Sequence, residues 1–443
     1  HWLHRGTRTF GVGAVLSAGI GVLASIPLIG RVLVPGLAAR LRHRAGSFLR
    51  TPKATRLKLE RSAATPGKEA DAVGYTIDEM VTIAERVLRD TGLTKNFSRL
   101  VLTIGHGSHS MNNPHESAHD CGACGGSVGG PNGRAIAQIL NDPRVRSGLA
   151  ARGLVVPDDT VFVGGLHNTC NEYVKFFDLD RVPASHTELL DKAHAVIEAA
   201  LDRNSHERAR RFGSAPLTIT PAGARRHMDA RAEDLAQVRP EWGHATNALC
   251  IVGRRERTRE LYLDRRAFLT SYDPSQDDEK GTILARTMGA IFPVCGGISL
   301  EYYFSHVDSP GYGCGTKLPH NITSLLGVMD GAASDLRTGL PWQMVEIHEP
   351  VRLLIVCETT VEIMQKVLDG NPLGKSMTEG GWVQLAVLSP DSGEIHLFER
   401  GAFRPYTPRA DSLPTAPSSA DWYRGWRDHL AFAHITPTRE AHA

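Results

Sequence analysis

The sequence predicts an α/β protein, a parallel βαβ core with additional α+β elaborations. Two short apolar runs, 99–104 and 160–164, have the length and residue types of buried strands. Two helical segments stand between them, at about 134–140 and 143–152, which is what a parallel pair with helices on the sheet faces requires. A glycine-rich stretch ending at Gly133 follows the first run, where such sheets gather their reactive loops, at the carboxyl ends of the strands.

Taken in order, the chain opens on an apolar segment, 9–30, with no charged residue. Arg5 and Arg8 precede it, and Arg31, Arg40, Arg42 and Arg44 follow. That length suffices to cross a bilayer. Gly11, Gly13, Gly19, Gly21 and Pro27 weaken a helix there, and basic residues on both flanks give no orientation, so a buried helical hairpin or a contact with a membrane protein is preferred over a span. No cleavable signal is recognised. Because the first residue is His1 rather than Met, the expectation is a fragment that lacks its natural start.

Residues 40–70 read as a solvated connector. Thr76 and Glu79 then form a capping box, Ile77, Met80, Val81, Ala84, Val87 and Leu88 recur at helical spacing, and Gly92 supplies the stop. Asp142 caps the helix that begins at Pro143. His106 is expected just after the first strand and His167, Asn168 and Thr169 just after the second, so the two ends lie side by side.

A long helix from Thr187 to about Phe212 follows, with Leu189, Leu190, Ala193, Val196, Ile197, Ala200 and Leu201 as its apolar stripe and a solvated, arginine-rich far end. Strands are expected at 247–252, 260–263, 352–356 and 382–388, with Asp391-Ser392-Gly393 turning the last into 395–398. The tail after Pro405 reads as loose, and no internal repeat is found. The chain accordingly divides into 1–70 (apolar segment and connector), 71–213 (α/β core), 214–406 (α+β region completing the core) and 407–443 (tail).

Fifty basic against 48 acidic residues leave a formal charge of +2, which gives no reason to expect nucleic acid as a partner. Seven cysteines scattered over 443 residues do not form a disulfide framework and point to a reducing compartment.

Chemistry is densest between Gly105 and Gly133. His106 and Cys121 are an imidazole and a thiol of the kind zinc takes as ligands; the alternative is a glycine turn against a core histidine. Cys121 and Cys124 form a C-x-x-C that suits a redox dithiol, but no second such pair completes a four-thiolate site, so Cys124 is assigned to packing or support. The glycines up to Gly133 lack a P-loop lysine and dinucleotide spacing, which disfavours phosphate. Ser108 lacks the Gly-x-Ser-x-Gly context of a hydrolase nucleophile. Further on, Glu301, His306, Asp308, Lys317 and His320 make a polar block that is equally a functional cluster or a structural network. The stretch 335–350 reads as a packed loop with internal salt bridges.

The blocks Gly105–Ser108, Asn112–Pro114, Asp120–Gly126, Leu300–Ser305, Tyr312–Asn321 and Leu336–Arg352 resemble the DabA family over most of the chain, to about Tyr406. The resemblance implies a β-carbonic-anhydrase/Rossmann-like core. It also implies a zinc (Zn2+) site in which His106 and Cys121 are the later two ligands. The earlier ligands are then expected from a Cys-x-Asp-x-Arg segment, and no cysteine here is followed by that pattern, so this chain holds half a site.

The implied activity is hydration of carbon dioxide to bicarbonate in an inorganic-carbon uptake complex, energised by cation flow through a DabB-type membrane subunit. The implied place is the cytoplasmic face of the cell (inner) membrane, as a peripheral protein. A non-catalytic scaffold of a membrane complex and a thiol oxidoreductase using Cys121 and Cys124 are the competing readings.

Overall fold

The computed structural model describes residues 10–49, 55–112, 120, 126–312, 346–348, 350–408 and 412–436. Helices α1 (Phe10–Leu33) and α2 (Pro35–Leu49) follow one another across the single residue Val34, with Val34 N donating to Gly30 O at 2.9 Å and Ala38 N to Val34 O at 3.1 Å, so the helix runs on almost unbroken. A buried helical hairpin or a contact with a membrane protein was expected here; the buried hairpin is not found, for only 7% of Gly13–Leu33 is covered. The connector expectation also needs correcting, since residues up to Leu49 are helical and Arg61 is buried, donating from Nη2 to Glu79 Oε1 at 2.7 Å. An arginine whose carboxylate partner stands beside it no longer needs water.

Helix α3 (Ile77–Asp90) carries both arms of the predicted capping box: Glu79 N donates to Thr76 Oγ1 at 3.3 Å, and Thr76 N donates to Glu79 Oε2 at 2.8 Å. Its apolar face, Met80, Val81, Ala84 and Leu88, packs against Val145, Leu149 and Phe162. Strand β1 (Leu100–Gly107), helices α4 (Gly130–Asn141) and α5 (Pro143–Ala151) and strand β2 (Val161–Asn168) form the predicted parallel unit, in register Leu100↔Val161 through Gly107↔Asn168. Asp142 caps α5 as expected, accepting from Arg144 N at 2.9 Å. Strand β3 (Tyr173–Phe176) adds antiparallel to β2.

Helix α4 sits so close to this sheet that side chains are excluded at the contact. A Cβ on Gly133 would lie 2.6 Å from Thr103 O, and one on Gly164 would lie 2.5 Å from the Arg134 Cα. Those neighbours are backbone and cannot swing aside. Gly133→Ala is therefore expected to cost about 1–3 kcal/mol through overpacking. Gly289→Ala, whose Cβ would meet nothing within 4 Å, is expected to be neutral or slightly stabilising. Urea unfolding of the two variants checks the contrast.

Helix α6 (Thr187–Ala209) runs where predicted, but two expectations about it fail. Val196 is 64% exposed, so the predicted stripe is only partly used. The arginine-rich end is not wholly solvated: Arg208 and Arg210 are buried, because buried carboxylates await them, Glu172 for Arg208 and Asp264 for Arg210. Helix α7 (Pro221–Ala232) packs alongside α6.

The following strands form a six-stranded sheet of their own: β4 (Leu249–Gly253), β6 (Ala267–Ser271), β7 (Leu354–Glu358), β8 (Gln384–Leu388), β9 (Ile395–Glu399) and β10 (Ala402–Tyr406), in spatial order β10-β9-β8-β7-β4-β6. Strands β6, β4, β7 and β8 are parallel, and β9 and β10 are antiparallel. Helices α8 (Thr282–Ile291), α9 (Ile298–Val307), α10 (Val361–Asp369) and α11 (Pro372–Glu379) complete this half. A π-helical turn, Phe292–Gly297, joins α8 to α9. Cys250, Ile355, Leu385, Phe292 and Met364 lie in its core. The sequence expected α+β elaborations here; the region builds the largest sheet among the described residues, a mixed one with four parallel strands and two antiparallel ones. The predicted 388–395 turn is present, with Gly393 at φ +72°.

The tail is ordered over its described part, against expectation. Strand β12 (Ala433–Ile435) pairs antiparallel with β5 (Leu261–Tyr262) and parallel with β11 (Thr415–Ala416), and α12 (Ser419–Tyr423) lies between β11 and β12 in the chain. Asp264 holds this corner together by accepting from Arg210, from Tyr262 Oη at 3.0 Å and from Leu430 N at 3.1 Å. The architecture is thus α/β, with parallel strand pairs in each of the three sheets of the described residues.

Candidate metal centre

Strand β1 continues through Gly107, so His106 lies on the strand rather than after it. The parallel register sets His106 directly opposite His167, the side-by-side placement expected of the two strand ends. Gly129 N donates to His106 O at 2.6 Å, which fixes the start of α4 against the strand end. Residues two apart on a strand share a face, so Ile104 and His106 point together, and Val174 pairs with His167 on the same face. With Ile197 and Leu201 of α6 they line a cavity of about 320 Å³ with mostly apolar walls.

His167 is held from behind. Its Nε2 lies 2.8 Å from Glu172 Oε2. The other Glu172 oxygen accepts from Arg208 Nη2 at 2.7 Å and from Asn204 Nδ2 at 2.5 Å. Burial by itself pushes the Glu172 carboxyl up, but the His167 bond and the Arg208 charge outweigh it and hold the group below its ordinary range. Arg208 also donates to Thr169 O at 2.5 Å, so α6 grips the loop that follows β2.

A second carboxylate, Glu241, grips both strand-end loops. Ser108 Oγ and Thr169 Oγ1 each donate to it. Arg239 Nη1 stands 3.6 Å away, and Arg239 Nη2 donates to Tyr302 Oη on α9 at 2.7 Å. Desolvation raises the Glu241 carboxyl, and the Arg239 charge with the two hydroxyl bonds brings it below the ordinary value. Cys170 lies 3.5 Å from Ser108 Oγ, and burial, with the Glu241 charge, pushes its thiol up to about 12. It stays protonated at neutral pH and is no ready nucleophile or ligand. Ser108 is itself buried and committed to Glu241, which removes it as an accessible nucleophile. Asn112, fully buried, donates to Arg231 O at 2.8 Å and Asp234 O at 3.1 Å.

Of the two predicted ligands, His106 is exposed at the cavity, and Cys121 lies outside the described residues, as does Cys124. Asp120, the residue before Cys121, is described: its Oδ1 accepts from Ser108 N at 3.0 Å. Among the described residues no group of three or more His, Cys, Asp or Glu is arranged to hold a metal. One imidazole does not make a tetrahedral site, so the described residues alone do not fit a zinc ion.

Glu301 and His306 lie on α9, while Lys317 and His320 lie outside the described residues. The residue of that block that reaches the site's network is Tyr302. From the 335–350 stretch, Glu346 pairs with Arg231 at 2.6 Å. Glu172, Arg208, Arg239 and Glu241 were not singled out from sequence; they belong to no motif, and a lone charge reads as surface until its partner is known.

The family described as "Probable inorganic carbon transporter subunit DabA" matches residues 1–383. The chain is 52% identical over 435 residues to "Probable inorganic carbon transporter subunit DabA 2" of Rhodopirellula baltica, covering 98% of this chain and 40% of that protein. It is 48% identical to the protein of the same name from Sorangium cellulosum, covering 99% and 43%. With "Probable inorganic carbon transporter subunit DabA" of Dechloromonas aromatica the identity is 46%, covering 98% and 43%. The chain therefore spans less than half the length of these curated relatives. No solved structure matches. A family model matched over residues 1–383, with relatives 46–52% identical over 98–99% of the chain, leads to one assignment: the chain belongs to the DabA family.

Proposed function

We propose that this chain is the portion of an inorganic-carbon uptake subunit that carries half of a zinc centre, in a β-carbonic-anhydrase-like core. In this reading His106 and Cys121 would hold one side of the ion, and ligands from the rest of the protein would hold the other. A zinc ion bound there would supply an acidified water as the source of hydroxide for hydration of carbon dioxide.

The chain's own residues do the positioning. The end of β1 presents His106 to the cavity, and Glu241 ties the following loop to its neighbour through Ser108 and Thr169. Ile104, Val174, Ile197 and Leu201 give the cavity walls suited to an uncharged molecule such as carbon dioxide. The observation that carries the reading is the Asp120 bond to Ser108 N. It returns the covalent neighbour of Cys121 to within two residues of His106, although fourteen positions separate Asp120 from His106 in the chain.

The relatives' names describe a transporter subunit, which supports a complex. The partner in this reading is a DabB-type membrane subunit whose cation flow energises bicarbonate accumulation, with this protein peripheral on the cytoplasmic face of the inner membrane.

The test is zinc content of the full-length protein, purified with its membrane subunit, as wild type, His106→Ala and Cys121→Ala. Wild type is expected to hold about one zinc and each variant to lose it, because affinity depends on the ligand set. Full retention in both variants rejects the ligands. Loss of zinc with unchanged carbon-dioxide uptake rejects the hydration role.

A further inference from the structure

Strand β1 is the outer strand of the sheet that carries the site. It pairs with β2 on one side and, among the described residues, with no strand on the other. Val161 N donates to Arg99 O at 2.7 Å and Thr169 N donates to Gly107 O at 2.8 Å, which fixes the odd-numbered residues of β1 as those bonded to β2. Leu100, Leu102 and Ile104 therefore turn their N–H and C=O groups outward, and among the described residues no backbone group bonds them. At the far end the edge is closed, where His106 O accepts from Gly129 N at 2.6 Å.

An open edge is a template for another strand, and folded proteins blunt such edges with proline, charge, bulges or short length. The outer strand β10 of the largest sheet shows the device: it is five residues long and carries Arg404 and Pro405. Strand β3, at the opposite border of the β1 sheet, has four residues and carries Lys175. Strand β1 has none of these protections. Its eight residues, Leu-Val-Leu-Thr-Ile-Gly-His-Gly, hold no proline, acid, lysine or arginine, and its register with β2 runs through without a bulge. Apolar residues on both faces are the pattern of a strand inside a parallel sheet, not at its border. Ile104, on the face that looks to the cavity, is 42% exposed, so that face is short of cover as well.

Length decides what meets the edge. The matched region is 40–43% of each of the three relatives described above, so more than half of each lies beyond it. A segment of the same polypeptide reaches the edge at high effective concentration, without the association entropy that a second copy or another subunit must overcome.

We propose that the open edge of β1 is closed by a strand from the part of the full-length protein outside these 443 residues, running parallel to β1. Its chemistry follows from the position: an apolar run of about five to eight residues, buried on both faces, with a polar loop at its carboxyl end. Parallel pairing sets that end beside His106. The pairing rests on backbone groups alone, and its bearing on a metal rests on the zinc reading.

The test uses the full-length protein purified with its membrane subunit. A photoreactive diazirine amino acid is placed at Leu100 or, separately, at Ile104, and the crosslinked peptides are identified by mass spectrometry. Both positions are expected to capture a peptide of the same polypeptide from outside residues 1–443. The residue reached from Ile104 should lie carboxyl-terminal to the one reached from Leu100. In the unmodified protein, amide exchange at Leu102 and Ile104 should be at least about a thousandfold slower than at an unpaired edge.

Crosslinks to a peptide within 1–443, to the membrane subunit or, in a mixture of isotopically light and heavy protein, to a second copy overturn the proposal. The reverse order of the two crosslinks overturns it too, as does exchange at both amides as fast as at an open edge. Thermal melts establish that each labelled protein is folded, and the exchange measurement keeps the test decisive if one is not. His106→Ala separates the two readings, because the crosslinks should survive it whether or not zinc is lost.

Discussion

Glu172→Ala is expected to destabilise the protein by about 3–5 kcal/mol, the cost of stranding one member of a buried ion pair. Glu172 and Arg208 have side chains 1% exposed each, so removal of the carboxylate leaves a guanidinium with neither water nor counter-charge. His167 and Asn204 lose their partner as well. Glu172→Gln keeps the shape but not the charge and should fall between wild type and alanine. Glu172→Gln combined with Arg208→Met should recover part of the loss, because the uncompensated charge goes with the arginine. Chemical unfolding reads all three; a loss below about 1 kcal/mol in the alanine variant would show that water or another group replaces the carboxylate.

The same pair gives a pH signature. The folded Glu172 carboxyl lies below its ordinary value, so its contribution is complete above the unfolded value near 4.3 and is lost as pH falls through the lower folded value. Glu241, also held low, adds to the loss in the same acid window. Wild type should therefore lose stability steeply below about pH 4, and Glu172→Gln less steeply.

The second large effect is expected at Glu241. Glu241→Leu removes the acceptor shared by Ser108 and Thr169 and leaves the buried Arg239 without its carboxylate, again a cost of about 3–5 kcal/mol. The more telling readout is local. Amide exchange at 107–110 and 168–170 should accelerate more than exchange in β7 and β8, and the zinc affinity of the full-length protein should fall roughly 10–100-fold, as for other groups that orient ligands. Uniform acceleration across both sheets, with zinc affinity unchanged, would show that Glu241 serves stability alone. The Leu variant tests the charge; Glu241→Asp, which keeps the charge and shortens the reach, should retain most stability and lose affinity.

Much of the scaffold around the site was legible in the sequence, and for local reasons. The capping box of Thr76 and Glu79, the Asp142 cap and the 388–395 turn each depend on residues within a few positions of one another. The apolar runs at 99–104 and 160–164 identified the parallel pair, although both strands extend beyond them. Missed strands such as β6 and β10 are short and carry mixed residues, so no period marks them.

The amino-acid sequence by itself determined the family, the α/β class and the position of His106 at a strand end, because these rest on motifs and on periods that neighbouring residues express together. Only the tertiary structure decided which charges are buried and what they grip. Glu172 meets Arg208 across 36 positions, and Ser108 meets Glu241 across 133. An isolated arginine or glutamate carries no sign of its partner: its desolvation is unfavourable everywhere except where the fold delivers the opposite charge. The arginine-rich end of α6 therefore read as solvent-facing, and the packed chain made it the anchor of the site.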